Sequence, residues 1–186
     1  MQQRKGPAVS PLIYPLDEFY ARAARPLPVV AALAADQMPE PYRSLLAHDR
    51  DMTPTLETFH GRQVHLEVIS SDQRDDIYLR EVVLHLDETD RPVEFGAIRI
   101  NLAMFPNPAR RQILEERLPL GHILAEHRIP HGSRPKAFLR IESDSFIKQS
   151  LRLESSHVLY GRRNTLVDPA GHPIAEIVEI LPPTTV

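Results

Sequence analysis

The run from Leu159 to Pro182 constrains the fold most, because it predicts a β-hairpin with charges in unusual places. The expected turn residues are Asp168, Pro169, Ala170 and Gly171. In the second arm, residues 174–181, alternation places Glu179 in one apolar row and Glu176 in the other. At least one row should be buried, and a buried carboxylate needs a partner, a proton or a substrate. The hairpin is therefore a candidate site, and a regular strand can turn only one of the two glutamates into a given cavity.

A second charge lies in an apolar row on the strand predicted at residues 77–86. Arg80 shares its face with Tyr78, Val82, Leu84 and Leu86, the most apolar row of that strand. Such an arginine is either structurally paired or a buried cation that receives a carboxylate. Neighbouring antiparallel strands could bring Arg80 and Glu179 to opposite walls of one pocket.

Length and composition favour one domain, residues 1–186, in which residues 1–15 form an N-terminal tail. The net charge of -3 argues against a nucleic-acid partner. There is no cysteine, no run typical of a signal peptide and no stretch long enough for a membrane span. We expect a cytoplasmic protein that binds a small molecule and is a monomer or a weak homodimer.

The remaining pattern predicts a group of N-terminal helices, three strands, two further helices and then more strands. Helices are expected at 17–24, after Pro28, at 42–48, from Pro54 with Leu56 and Phe59 inward, at 107–116 and at 119–127. Strands are expected at 62–69, 77–86, 93–102, 137–142 and 153–160, with a polar connection at 70–76. Gly61 should end a helix, and Gly96 should mark a bulge or a close backbone approach.

Common metal and nucleotide motifs are absent from the sequence. None of the nine histidines has the His-x-x-x-His spacing with a partner carboxylate that zinc sites show. Gly-x-Ser-x-Gly, P-loop and Gly-x-Gly-x-x-Gly motifs do not occur either. We therefore expect no metal and no nucleotide, although the helix beginning near Leu120 and Gly121 could receive an anion at its N-terminus.

Five short runs resemble, in order and approximate spacing, those of the chorismate pyruvate-lyase family. They are Asp51-Met-Thr53, Tyr78-Leu-Arg-Glu81, Pro119-Leu-Gly121, Leu159-Tyr-Gly-Arg-Arg163, and Gly171-x-Pro-Ile followed by Glu179. The resemblance covers about residues 40–183. It implies an α+β fold with a central antiparallel β-sheet, helices packed over it and an internal ligand cavity. It also implies conversion of chorismate to 4-hydroxybenzoate and pyruvate, with no cofactor.

The same resemblance assigns roles to individual residues. It implies that Arg80 grips the ring carboxylate, that the backbone N–H groups of Met52 and Leu120 help to hold it, and that Glu179 meets the ring hydroxyl. Arg80 and Glu179 would be the catalytic pair. Arg162 and Arg163 are candidates for the enolpyruvyl carboxylate, but they could equally brace the hairpin.

One departure puts the substrate in doubt. The stretch 93–102 lacks the Gly-Arg-Thr run of the bacterial ubiquinone-pathway enzymes. A related lyase that acts on a modified chorismate is therefore one alternative. Another is a non-catalytic aromatic-acid binder or effector sensor, since effector-binding domains of many bacterial transcription regulators share this general fold. Those regulators carry an N-terminal winged helix, for which we expect the residues before Asp51 to leave too little room.

Overall fold

The computed structural model describes residues 12–184, and all the strands in that range belong to one antiparallel sheet. The helices are α1 Leu16–Arg22, α2 Tyr42–Leu46, α3 Met52–His60, α4 Asn107–Leu114, α5 Leu120–Glu126 and α6 Ser145–Ser150. The strands are β1 Val30–Leu33, β2 Val64–Arg74, β3 Ile77–Leu86, β4 Pro92–Asn101, β5 Gly132–Glu142, β6 Val158–Val167 and β7 Pro173–Leu181. They lie in the order β1-β5-β6-β7-β4-β3-β2. The predicted α+β class with a central antiparallel sheet is confirmed.

Helices cover both faces of this sheet, which is why both rows of β3 are buried. One face packs against α1 and α6 through residues such as Phe19, Val83 and Ile147. The opposite face, here called the pocket face, carries Arg80, Val82 and Leu84 from β3 and packs against α2 to α5. A polar side chain on either face of the central strands is therefore removed from water.

The strand register places the flagged residues in adjacent rows of the pocket face. Arg80 pairs with Ile98, Ile98 with Ile177, and Ile177 with Asn164. In the next row Val82 pairs with Gly96, Gly96 with Glu179, and Glu179 with Arg162. Arg80 on β3 and Glu179 on β7 thus lie on the same face of the sheet. Strand β4 separates them, and they belong to neighbouring rows.

The C-terminal hairpin forms as predicted. Strands β6 and β7 are joined by a turn in which the Asp168 carboxylate accepts a hydrogen bond from the His172 N–H at 2.8 Å. Gly171 has a φ of 89°, a left-handed conformation that suits glycine.

Gly96 lies at a very close contact between β4 and β7. A Cβ atom at this position would lie 2.1 Å from the carbonyl oxygen of Val178, so only glycine fits. The prediction of a close backbone approach is confirmed.

Several predicted elements differ from the structure. The residues after Pro28 form β1 rather than a helix, because Val30–Leu33 pairs with β5. Strand β2 continues through the expected polar connection to Arg74, and β6 begins only at Val158. Helix α6 was not predicted, although the Asp144 side chain caps it by accepting from the Ile147 N–H at 2.8 Å.

Two smaller predictions concern side-chain burial. Leu56 is buried as expected, but Phe59 is 46% exposed, so α3 turns only one of the two toward the core. Residues 1–11 of the predicted tail lie outside the described residues, whereas Ile13 is fully buried in the core beneath the sheet. Within the described range no helix is long and apolar enough to cross a membrane.

Candidate functional site

A pocket lies between the pocket face of the sheet and the first turns of α3 and α5. Its apolar walls include Leu66, Val82, Leu84, Ile98, Leu124 and Ile177. Its volume is about 60 Å³, and a cavity needs about 10 to 15 Å³ by this measure to hold one water molecule. The pocket therefore has room for several waters or for one small organic molecule.

Arg80 is a buried cation with too few partners. Its side chain is 1% exposed, and its one hydrogen bond in the described structure is a long one, 3.3 Å from Nη2 to the carbonyl oxygen of Leu118. Nε and Nη1 are buried without a hydrogen-bond acceptor among the described residues. Burial lowers the pKa of Arg80, an effect that Tyr78 and Glu116 oppose. An anion at this position would supply the missing acceptors.

The starts of α3 and α5 lie beside this cation. Met52 and Leu120 are the first residues of the two helices, both are buried, and both line the pocket. First-turn N–H groups have no acceptor within their own helix and carry the positive end of the helix dipole. The two starts are in contact, since a Cβ on Gly121 would lie 2.8 Å from Thr53 Oγ1. This end of the pocket is electropositive.

Glu179 also lines the pocket, but its carboxylate already has a partner. It is 4% exposed and accepts a hydrogen bond from Nε of Arg162, which is fully buried. The Arg162 guanidinium also donates to the carbonyl oxygens of His48, at 2.9 Å, and Arg50, at 3.0 Å. Arg162 therefore ties the connection between α2 and α3 to the hairpin, which is a bracing role.

The other two candidates on the hairpin lie on the opposite face. Glu176 accepts a hydrogen bond from Thr165 Oγ1 at 2.9 Å and has an Arg163 nitrogen at 3.9 Å. Arg163 also lies against the ring of Tyr14. Glu179 and Glu176 are thus separated by the sheet, as the period of two predicts.

Glu94 is a pocket carboxylate that the sequence reasoning missed. It is 6% exposed, and Oε2 is buried with no hydrogen-bond partner among the described residues. Burial and then the charge of Glu179 raise the pKa of Glu94 well above its ordinary value, against the opposing effect of Arg162. A signal was present, because Glu94 shares its alternate row of β4 with Gly96, Ile98 and Ile100.

Asn164 adds a neutral polar group. Its amide nitrogen donates to Ser133 Oγ at 2.8 Å, while its buried carbonyl oxygen has no partner in the described part of the chain. An unpaired buried oxygen of this kind favours a ligand or a water that donates to it.

Asp51, at the rim of the pocket, is held by a histidine. Nε2 of His131 lies 2.8 Å from its carboxylate, and Nδ1 lies 2.8 Å from the carbonyl oxygen of Ile129. The hydrogen bond to Asp51 raises the pKa of His131. Both ring nitrogens face acceptors, so the protonated imidazolium fits best. Its two hydrogen bonds connect the start of α3 to the residues just before β5.

No cluster of three or more potential metal ligands lies within residues 12–184. The pocket is largely apolar; Arg80 has no anionic partner among the described residues, and Glu94, Glu179 and Asn164 add polar groups to the lining.

No protein-family model and no curated protein matches the sequence. Solved structures do share its fold. The effector domain of PhnF from Mycobacterium smegmatis aligns with a TM-score of 0.52 over 70% of this chain and 87% of that domain, at 11% identity. A possible transcriptional regulator, YydK from Bacillus subtilis, gives 0.51 over 65% of this chain and 59% of its own, at 12% identity. The gene product SA0254 from Staphylococcus aureus gives 0.50 over 64% and 83%, also at 12%.

Identities this low show the fold alone. The fold is chorismate lyase-like, as the resemblance implied, and it is shared with at least one effector domain. Function has to be argued from the pocket itself.

Proposed function

We propose that this protein binds a small aromatic acid without transforming it, with Arg80 as the group that holds the carboxylate. The single observation that carries the proposal is the buried Arg80 guanidinium, whose Nε and Nη1 have no acceptor among the described residues.

An unpaired buried charge is costly, and a ligand carboxylate relieves that cost. A guanidinium presents two forks that match the two oxygens of a carboxylate, Nε with Nη2 and Nη1 with Nη2, and each fork of Arg80 includes one nitrogen that has no acceptor among the described residues. The N–H groups of Met52 and Leu120 lie at the same end of the pocket and favour negative charge there. Three separate features thus converge on one anionic group.

The rest of the pocket favours a ring. Branched aliphatic side chains from the sheet and α5 form its walls, and its volume suits a molecule of few heavy atoms. A planar aromatic acid presents an apolar body to those walls and its carboxylate to Arg80.

The pairing of Glu179 with Arg162 favours ligand binding over catalysis. The Glu179 carboxylate is tied to Arg162, which is in turn tied to backbone carbonyl groups. Neither Arg162 nor Arg163 lines the pocket, so no second arginine among the described lining residues is placed for the enolpyruvyl carboxylate of chorismate. The similarity in fold to the PhnF effector domain supports the same choice, that of a ligand-sensing domain.

Chorismate lyase chemistry remains the second candidate, because Arg80, Met52, Leu120 and Glu179 all line this one pocket. In that case Arg80 and the helix starts would hold the ring carboxylate and Glu179 would hydrogen-bond the ring hydroxyl, with no cofactor. The protein would then be a carbon–oxygen lyase that releases 4-hydroxybenzoate and pyruvate.

One pair of assays separates the candidates. Calorimetric titration with benzoate and 4-hydroxybenzoate should show saturable binding of one ligand per chain. Incubation with chorismate and EDTA, followed by chromatography, should yield no pyruvate above the uncatalysed rate. Release of 4-hydroxybenzoate and pyruvate would establish that the protein is a lyase. If neither benzoate nor 4-hydroxybenzoate binds, the proposal is rejected.

A further inference from the structure

We infer that Glu94 is a second recognition group of the pocket, a buried carboxylic acid that donates a hydrogen bond to an oxygen on the ligand. The ligand class is thereby narrowed to aromatic acids that carry a hydroxyl or keto oxygen at the end away from the carboxylate. The inference rests on the proposed function, since it assumes that Arg80 holds the carboxylate.

The positions of the two residues fit opposite ends of one ligand. Arg80 pairs across the sheet with Ile98, and Glu94 lies four residues from Ile98 on the same strand. At about 3.4 Å per residue, the Cα positions are separated by roughly 13 Å along the strand. Both residues line the pocket, and this separation places them at different ends of it.

The protonation of Glu94 follows from its surroundings. Leu84 lies opposite Glu94 on β3, and the nearest carboxylate, Glu179 on β7, already takes the charge of Arg162. Burial raises the pKa of Glu94 first, and the like charge of Glu179 raises it further. The raised pKa favours the protonated acid, and Oε2 of Glu94 is buried with no hydrogen-bond partner among the described residues.

Two further ionisable groups, besides Arg80 and Arg162, lie in or beside the pocket. His48 lies against Arg162 from the α2–α3 connection, and burial together with that cation lowers its pKa, so it is neutral. Asp51 lines the pocket at its rim but is paired with His131. Neither supplies Glu94 with a counter-ion.

A buried O–H donor selects for an acceptor oxygen. A phenol or keto oxygen can accept its hydrogen bond, whereas a methyl group leaves it unpaired and a protonated amine has no free lone pair. Apolar protein sites are known to keep a carboxylic acid neutral for such a hydrogen bond. Arg80 accounts for the affinity for carboxylic acids in general. Glu94 accounts for the preference for acids with an oxygen substituent opposite the carboxylate.

The experiment compares three ligands of similar size, benzoate, 4-methylbenzoate and 4-hydroxybenzoate, by calorimetry. The intact protein should prefer 4-hydroxybenzoate over 4-methylbenzoate by roughly tenfold or more, the ratio expected when one buried donor is left unpaired. Glu94→Leu should lose that preference. Glu142→Gln, an exposed carboxylate on β5, is the matched control and should bind all three as the intact protein does.

Glu94→Gln tests the proton directly and remains informative if Glu94→Leu fails to fold. The glutamine amide donates a hydrogen bond at every pH. Affinity of the intact protein for 4-formylbenzoate, whose aldehyde oxygen can only accept a hydrogen bond, should therefore fall as the pH rises through the raised pKa of Glu94, while that of Glu94→Gln stays flat. Equal affinity of the intact protein for all three acids, or equal pH dependence in both proteins, would overturn the inference alone. If none of the acids binds, the proposed function fails and the inference fails with it.

Discussion

Arg80, Glu94 and Glu179 share the pocket face of one sheet, yet their partners differ. Within residues 12–184, Glu179 is paired with an arginine, Oε2 of Glu94 has no hydrogen-bond partner, and Arg80 has a single long hydrogen bond to a carbonyl oxygen. Because burial removes water from all three, these differences decide which group is available to a ligand.

Arg80→Lys tests the residue that carries the proposal. Lysine keeps the charge but loses the fork, so affinity for benzoate should weaken by on the order of 1 to 3 kcal/mol, with the fold intact by circular dichroism. Arg140→Lys, on an exposed arginine paired with Glu142, is the control and should bind normally. Unchanged benzoate affinity in folded Arg80→Lys would show that Arg80 does not bind the carboxylate.

The two hairpin glutamates should differ in stability. Glu179→Gln leaves buried Arg162 without its carboxylate, which should destabilise the fold by about 3 kcal/mol. Glu176 is partly exposed, so Glu176→Gln should cost less than about 1 kcal/mol. Denaturant unfolding of both variants measures the difference. Equal stability of the two would show that the Arg162–Glu179 pair contributes little.

His131 gives a pH-dependent contribution with a defined sign. Its pKa is raised in the folded state, so the contribution is fully present below the unfolded value, about 6.5, and is lost as the pH rises through the folded value. His131→Asn should therefore reduce stability more at pH 5.5 than at pH 8.5. Titration by NMR should show a lower His131 pKa in Asp51→Asn, and an unaltered pKa there would contradict the assignment of Asp51 as its partner.

At the residue scale, the sequence was enough to predict some of the pocket residues but not all of them. Arg80 and Glu179 were identified because each interrupts an apolar row, and the structure buries both. Glu94 interrupts its row in the same way but follows a turn, where a carboxylate is ordinarily exposed. The pairing of Arg162 with Glu179 depends on the register of β6 and β7, which residue types alone do not specify.

Among the elements, the central strands were the most predictable and the edges the least. Strands β3, β4 and β7 have long apolar rows, whereas β1 has four residues and exists through its pairing with β5. Its sequence also fits a helix, and tertiary pairing decided between the two. Helix α6 has six residues, too few for a periodic signal.

Strands β4 and β7 can pair at the pocket only if residue 96 has no Cβ atom. Gly96→Ala places a Cβ against the Val178 carbonyl and should destabilise the fold by about 3 kcal/mol or more, with a lower melting temperature. Gly132→Ala is the control, since its Cβ would meet only Val167 at 3.7 Å. A melting temperature for Gly96→Ala equal to that of the control would mean that β4 and β7 can separate without cost.

For the whole molecule, the fold and the function rest on different evidence. Collinear short runs in α3, β3, α5, β6 and the C-terminal hairpin were enough to predict the chorismate lyase-like fold. They were not enough to predict activity, since the same fold serves an effector domain and the bonding of Glu179 is visible only in three dimensions.

The most direct test of the central claim is a crystal structure of the protein grown with 4-hydroxybenzoate. The account predicts that the ligand lies in the pocket of Arg80, with its carboxylate accepting a hydrogen bond from Nε or Nη1 of that guanidinium and its ring against Ile98 and Ile177. A ligand bound elsewhere, or bound there with its carboxylate away from Arg80, would contradict it.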